Sequence, residues 1–288
     1  MGIRIRNKKS LIRLISIIVL SIAVLAVPSY VWAKDNTKYL SKMYTSKMSP
    51  IIMIPGSSAT ENRFDSLVDK LNKNTRTKHS LLKLKVYNSG KIVYSGQLNN
   101  RDTEPIIVVG FENNHDGYSN IKLQAKMFSQ ALTDLQDKYR FNNFKGIGHS
   151  NGGLIYTEFI ENYLSDHDVK MKKLMTIGSP YNFSERSTRN KTEMLANFIK
   201  NKDKIPQNLI VFSIAGTQNY TSDGLVPENS VRAGKYIYQH RVDHFTEMTV
   251  TGDDAQHSDL PQNQEIINLI QDNIIDKTNK KMNPARMQ

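Results

Sequence analysis

Residues 144–156 read FKGIGHSNGGLIY, an apolar run that is interrupted at Gly148-His149-Ser150-Asn151-Gly152 and then resumes. Phe144 to Gly148 has the length of a short buried strand, and the segment from Leu154 onward has the periodicity of a helix. A serine between them sits on a sharp strand-to-helix turn. Glycines on both sides imply neighbouring backbone too close to admit a Cβ. Such a turn lifts a hydroxyl above a sheet at a helix N-terminus. The five-residue pattern alone is weak, since glycine-rich strand exits are common; its strand and helix context gives it meaning.

Working outward, apolar runs at Ile51 to Pro55, Ile106 to Gly110, Leu174 to Ile177, Leu209 to Ala215 and Phe245 to Val250 are further strands. Several lack polar alternation, as strands covered on both faces do. Amphipathic stretches separate them: Ser119 to Tyr139, with Ile121, Ala125, Phe128, Leu132, Leu135 and Tyr139 in one stripe, Leu154 to Leu164, and Pro261 to Ile275, opened by a proline suited to a first turn. The alternation predicts an α/β fold with a mostly parallel central sheet and helices on both faces. Leu82 to Gly96 is the exception, a hairpin around Asn88-Ser89-Gly90.

The chain has 288 residues, 39% hydrophobic and 23% charged, with no cysteine. That composition indicates a globular body stabilised by packing without disulfides. Residues 1–33 read as a secretory signal peptide: Arg4, Arg6, Lys8, Lys9 and Arg13 precede the uncharged run Leu14 to Val27, and Val31-Trp32-Ala33 offers a cleavage site. The run is shorter than the roughly 20 residues of a membrane span, which ranks a retained anchor second. Residues 34–288 are then one domain, with a cap insertion at about 179–207 and a polar tail at 277–288. Removing the leader lowers the net charge from +12 to 34 basic against 27 acidic side chains. A basic surface of that size reads first as a plainly solvated one, and second as compatible with contact to anionic membrane or cell-wall polymers. No nucleic-acid-binding motif accompanies it, and the oligomeric state is not legible.

A serine hydroxyl is a poor nucleophile without a base, so Ser150 calls for a histidine oriented by a carboxylate, in the order serine, acid, histidine. His257 lies in the loop between the last strand and the last helix, where that base belongs. His149 adjoins the serine and is read as pointing away from it. His115 and His167 lie in polar loops, His79 comes too early, and His244, at the wrong end of the final strand, is the competitor. The acid belongs after Leu209 to Ala215, where Asp223 occurs in Asn219 to Pro227. Asp223-Gly224 is also an ordinary turn dipeptide; Asp253 or Asp254 is an alternative acid, and Glu228 a more remote one. For the oxyanion, the Asn151 backbone N–H is one donor, and the Pro55-Gly56-Ser57-Ser58 turn supplies the other through Gly56 or, preferably, Ser57. A tight strand exit is the lesser reading of that turn. Asp166-His167-Asp168 is the nearest approach to a metal-ligand cluster and reads as a solvated helix end, so neither metal nor cofactor is expected.

The Gly148 to Gly153 stretch, Ser222 to Pro227, the hairpin at Val86 to Tyr94 and His257-Ser258-Asp259-Leu260 together resemble the cell-surface α/β-hydrolases of Gram-positive bacteria, a family of unknown function with esterase- and lipase-like members. The resemblance spans about Pro50 to Ile275. It implies the α/β-hydrolase fold, with Ser150, Asp223 and His257 as nucleophile, acid and base. Many relatives carry His-Gly at the oxyanion turn, where this chain has Pro55-Gly56. Between the fourth and fifth parallel strands, Met194, Leu195, Phe198 and Ile199 fall at helical spacing and either line an acyl pocket or pack the cap down. The small cap points to a secreted carboxylesterase for short- to medium-chain esters. The alternatives are a lipase or acyltransferase acting on membrane or wall lipids, and a surface-binding homologue without activity.

Overall fold

The computed structural model describes residues 8–44, 46–74, 78–218 and 220–276. The expected tail at 277–288, the first seven leader residues and Asn219 lie outside them. Two units are distinguished, Met1–Ser46 and Lys47–Gln288. The first contains helix α1 (Lys8–Tyr44), with Pro28 inside it. Its Leu11–Thr37 stretch, 27 residues, is long and apolar enough to cross a membrane. The length argument against an anchor therefore fails, because the uncharged run continues through Pro28 to Ala33; leader and anchor both fit this helix.

In the second unit the described strands are β1 (Ile51–Ile54), β2 (Leu81–Val86), β3 (Ile92–Gly96), β4 (Ile106–Phe111), β5 (Asn143–His149), β6 (Lys170–Ile177), β7 (Ile210–Thr217) and β8 (His244–Thr251). They form one sheet in the order β3-β2-β4-β1-β5-β6-β7-β8. The expected hairpin is present: β3 pairs antiparallel with β2, and Gly90 takes a positive φ of 83° in its turn. All other neighbours are parallel. The connecting helices are α2 (Asp65–Asn74), α3 (Tyr118–Tyr139), α4 (Asn151–Asn162), α5 (Glu193–Asn201), α6 (Glu228–Arg232), α7 (Lys235–Tyr238) and α8 (Gln264–Asn273).

Strand alternation divides the core. Ile52, Ile54, Ile107, Val109 and Phe144 face α3, α4 and α5, whereas Ile51, Met53, Ile106, Val108 and Ile147 face α2 and α8. β1 and β4 are buried along their whole length, as their unbroken apolar runs require. β8 departs from that pattern: it is an edge strand, and of its residues only Val250 is buried. Pro261 opens a short 3-10 turn, Leu260–Gln262, and α8 starts later, where the Asn263 side chain accepts from the Glu265 and Ile266 N–H groups. In the segment expected to be a cap, Met194, Leu195 and Phe198 belong to the core, with Phe198 edge-on to Tyr118 at 6.0 Å. They pack the segment down, with the half-buried Ile199 against the same cluster.

Two buried ionisable groups shape stability. Lys145, 1% exposed in β5, pairs with Glu104 and, at 2.8 Å, with Asp276, whose backbone N–H also bonds Glu104. The ammonium thus fastens Asp276, just beyond α8, to the sheet. Removing one partner of such a pair strands the other charge in the interior, which costs about 3–5 kcal/mol. Lys145→Ala is expected to lose that much in urea unfolding, and a loss below about 1 kcal/mol would contradict the account.

The second group is Glu161 on α4, 3% exposed, with both carboxyl oxygens lacking a hydrogen-bond partner among the described residues. Burial, reinforced by Glu158 and opposed by Lys204, pushes it from its ordinary 4.5 up to about 9. The folded state therefore keeps a proton that the unfolded chain releases. Its contribution is intact below about pH 4.5 and is lost as pH rises toward 9, by at most about 1.4 kcal/mol per pH unit. Glu161→Gln is expected to flatten the decline in melting temperature between pH 5 and 8.5. An unchanged slope would place the effect elsewhere, Glu158 on the same helix being the first suspect.

Candidate active site

Ser150 connects β5 to α4 with φ 54° and ψ −125°, a conformation costly for any residue with a Cβ. Its N–H bonds the Ile177 carbonyl of β6 at 2.8 Å, and its own carbonyl accepts from Gly153 at 3.1 Å. The flanking glycines are dictated by close approach. A Cβ on Gly148 would lie 2.5 Å from the Gly152 carbonyl carbon, and one on Gly152 only 2.0 Å from the Ile54 oxygen. The β1 exit crosses directly beside the serine: a Cβ on Gly56 would meet the Ser150 Cβ at 2.6 Å and its Oγ at 3.2 Å. Ser150 is 7% exposed, and its hydroxyl makes no hydrogen bond among the described residues.

The loop after β7 carries Asp223, 1% exposed. Its Oδ1 accepts from the Leu225 and Val226 N–H groups at 3.0 and 2.7 Å. That leaves Oδ2, which lies 2.7 Å from Nδ1 of His257. The His257 backbone N–H adds a 2.9 Å bond to the Asp223 carbonyl. A carboxylate only accepts, so the proton is on Nδ1 and the lone pair on Nε2, the form a general base requires. Gly178, at the end of β6, packs beneath the pair: a Cβ there would be 3.2 Å from His257 Nδ1 and 3.3 Å from Asp223 Oδ2. Asp223 is thus a buried partner of His257 and not a plain surface turn. The competitors lie elsewhere. Asp253 and Asp254 are exposed, Glu228 pairs with Arg232, and His244 pairs with Asp243.

Asn151 begins α4, so its N–H is one of the donors that a first helical turn leaves free. Its side chain bonds Asp116 at 2.8 Å, bracing the elbow against the loop between β4 and α3. In the β1–α2 turn the Ser58 N–H is taken by the Asn114 carbonyl at 2.7 Å, whereas the Ser57 N–H makes no hydrogen bond among the described residues. Of that turn's donors, Gly56 and Ser57 are the ones left for a ligand.

Residues 38–277 match the model of the family described as alpha/beta hydrolase of unknown function, DUF915. The chain belongs to this family. A Lactobacillus plantarum WCFS1 protein, assigned provisionally as a cell surface hydrolase, is 52% identical over 80% of this chain and 92% of its own, with a TM-score of 0.74. A Listeria innocua protein is 31% identical over 78% and 92%, with a TM-score of 0.71. No curated protein matches. The eight-stranded sheet with its single antiparallel edge strand is therefore an α/β-hydrolase fold, as the sequence implied.

Within this DUF915 member, sequence reasoning overlooked the surroundings of the His257 loop. His149, read only as pointing away from the serine, lies with its ring against His257, the centroids 4.8 Å apart. Arg63 bonds the Ser258 carbonyl and, at 3.0 Å, the Gln262 side chain. Burial lowers the Arg63 pKa, against the opposing pull of Asp259. The parity of β5 contained the signal for His149, since residues 145, 147 and 149 share the face over which the last loop returns.

Proposed function

We propose that the protein is a serine hydrolase that cleaves carboxylic esters of short- to medium-chain acids through an acyl-enzyme on Ser150. The observation that carries this reading is the Asp223–His257 pair, which is held in the tautomer of a base on loops at the same sheet end as a strained, glycine-flanked serine.

In this mechanism His257 Nε2 takes the Ser150 proton as Oγ attacks the ester carbonyl. Asp223 stabilises the resulting imidazolium, and the N–H groups of Asn151 and Ser57 receive the oxyanion. The imidazolium then protonates the departing alcohol, leaving an acyl-serine. Water follows the same route: His257 removes its proton, the acyl–Oγ bond breaks, and the serine recovers its hydrogen as the acid leaves. Hydrogen bonding between Oγ and His257 is often loose before substrate binds, which accords with the unbonded hydroxyl.

Export to the cell surface fits α1 and the name of the Lactobacillus plantarum relative. A second reading, hydrolysis or acyl transfer on membrane or wall lipids, is favoured by Tyr220 and Leu225. These flank Asp223 and are 84% and 71% exposed, which puts apolar surface beside the site. A chain-length series of 4-nitrophenyl esters, with and without anionic vesicles, separates the two. The esterase reading expects the highest kcat/KM at two to eight carbons and indifference to vesicles, whereas activation by vesicles favours the lipid reading.

A further inference from the structure

Three of the four polar groups of His257 are fixed. Its N–H and Nδ1 bond Asp223, and its carbonyl lies 2.9 Å from Nε2 of His149. Only Nε2, the atom that must meet Ser150, is left. His149 is 4% exposed, and its ring is tilted 35° to that of His257. A carbonyl only accepts, so His149 Nε2 carries a proton and donates it. Its Nδ1 has no partner among the described residues. Burial keeps the ring well below the usual histidine range, and His257 and Arg63 push in the same direction. A neutral donor in this place supports His257 without repelling the imidazolium formed during turnover. The next carbonyl along, that of Ser258, is held by Arg63 from the β1–α2 loop. Consecutive peptide oxygens of the histidine loop are thus anchored from two separate parts of the chain.

We propose that His149 is a positioning residue for the base: its Nε2–H fixes the His257 carbonyl, its ring backs the His257 imidazole, and together they set where His257 Nε2 stands relative to Ser150. The inference rests on the serine-hydrolase reading. A histidine that merely filled space would be replaceable by any ring of similar size. A donor that orients the base would be replaceable only by another donor.

The test uses the full chain in mild detergent, with His149→Phe, which keeps a ring without the donor, and His149→Gln, which keeps a donor. Phosphonylation of Ser150 by a fluorophosphonate is followed over probe concentration to separate the maximal rate from the half-saturating concentration, and thermal melting confirms folding. His149→Phe is expected to lose about 10- to 100-fold in maximal rate, the size associated with small misplacements, with half-saturation nearly unchanged. His149→Gln is expected to recover most of the loss. A His149→Phe rate within about twofold of the parent overturns the inference, and so do equal losses in both variants, because the donor would then not matter. If phenylalanine prevents folding, His149→Leu serves as the donor-free variant under the same criteria. A parent chain that is not labelled at all overturns the reading of Ser150 itself, and the inference falls with it.

Discussion

Ser150→Ala is expected to abolish labelling by a fluorophosphonate and to reduce ester hydrolysis on the order of 10⁴- to 10⁶-fold, as happens when one member of a cooperating triad is removed. The parent should gain the mass of a single phosphonyl group, and the variant none. Folding should be unaffected, because alanine keeps the Cβ and its conformational cost while the hydroxyl it removes makes no hydrogen bond among the described residues. The backbone bonds through Ile177 and Gly153 remain. Melting curves of the two proteins should therefore superimpose within about 0.5 kcal/mol. Ser150→Gly is a useful companion: it relieves the positive φ of 54° and should be at least as stable as alanine there. A variant that still hydrolyses ester at a tenth of the parent rate would remove Ser150 from the chemistry. A parent that binds esters without turnover, and stays unlabelled while folded, would bring forward the non-catalytic surface-binding reading.

The parts of this site that were legible in the sequence are those governed by local chemistry. Gly148-His149-Ser150-Asn151-Gly152 announced a turn because glycines at those spacings mark backbone in close approach, and the structure shows α4 crowding Gly148 and the end of β1 crowding Gly152. The loops after β7 and β8 could be placed because parallel strands bring their exits to one end of the sheet. Long-range packing was not legible. Helix α2 escaped the sequence reading because its short apolar set, Leu67, Val68 and Leu71, is surrounded by lysine and asparagine. Met194, Leu195 and Phe198 look the same in sequence whether a helix faces a ligand or a core, and only the assembled sheet and helices decide. The return path of the last loop, which brings His257 over the same face of β5 as His149, depends on contacts between residues 108 positions apart.

The Asp223→Asn variant tests the triad from the side of the acid, and the neighbouring amides dictate its outcome. Oδ1 of Asp223 faces two backbone donors, Leu225 N–H and Val226 N–H. An asparagine must place its carbonyl oxygen there, since an NH₂ group would confront two N–H groups. Its NH₂ then points to His257 Nδ1, which has to become an acceptor, and the ring proton moves to Nε2. A histidine protonated at Nε2 cannot take the proton of Ser150. The geometry would be nearly unchanged and the base in the wrong tautomer, so kcat is expected to fall about 10³- to 10⁴-fold with KM altered little. Stability should fall by only about 1–2 kcal/mol, the worth of one charge-assisted bond exchanged for a neutral one. The decisive measurement is kcat and KM for 4-nitrophenyl butyrate on folded variant and parent. Retention of a tenth of the parent kcat would mean that Asp223 holds the loop without orienting the base. An equal loss in Asp253→Asn would mean that the exposed acids after β8 take part after all.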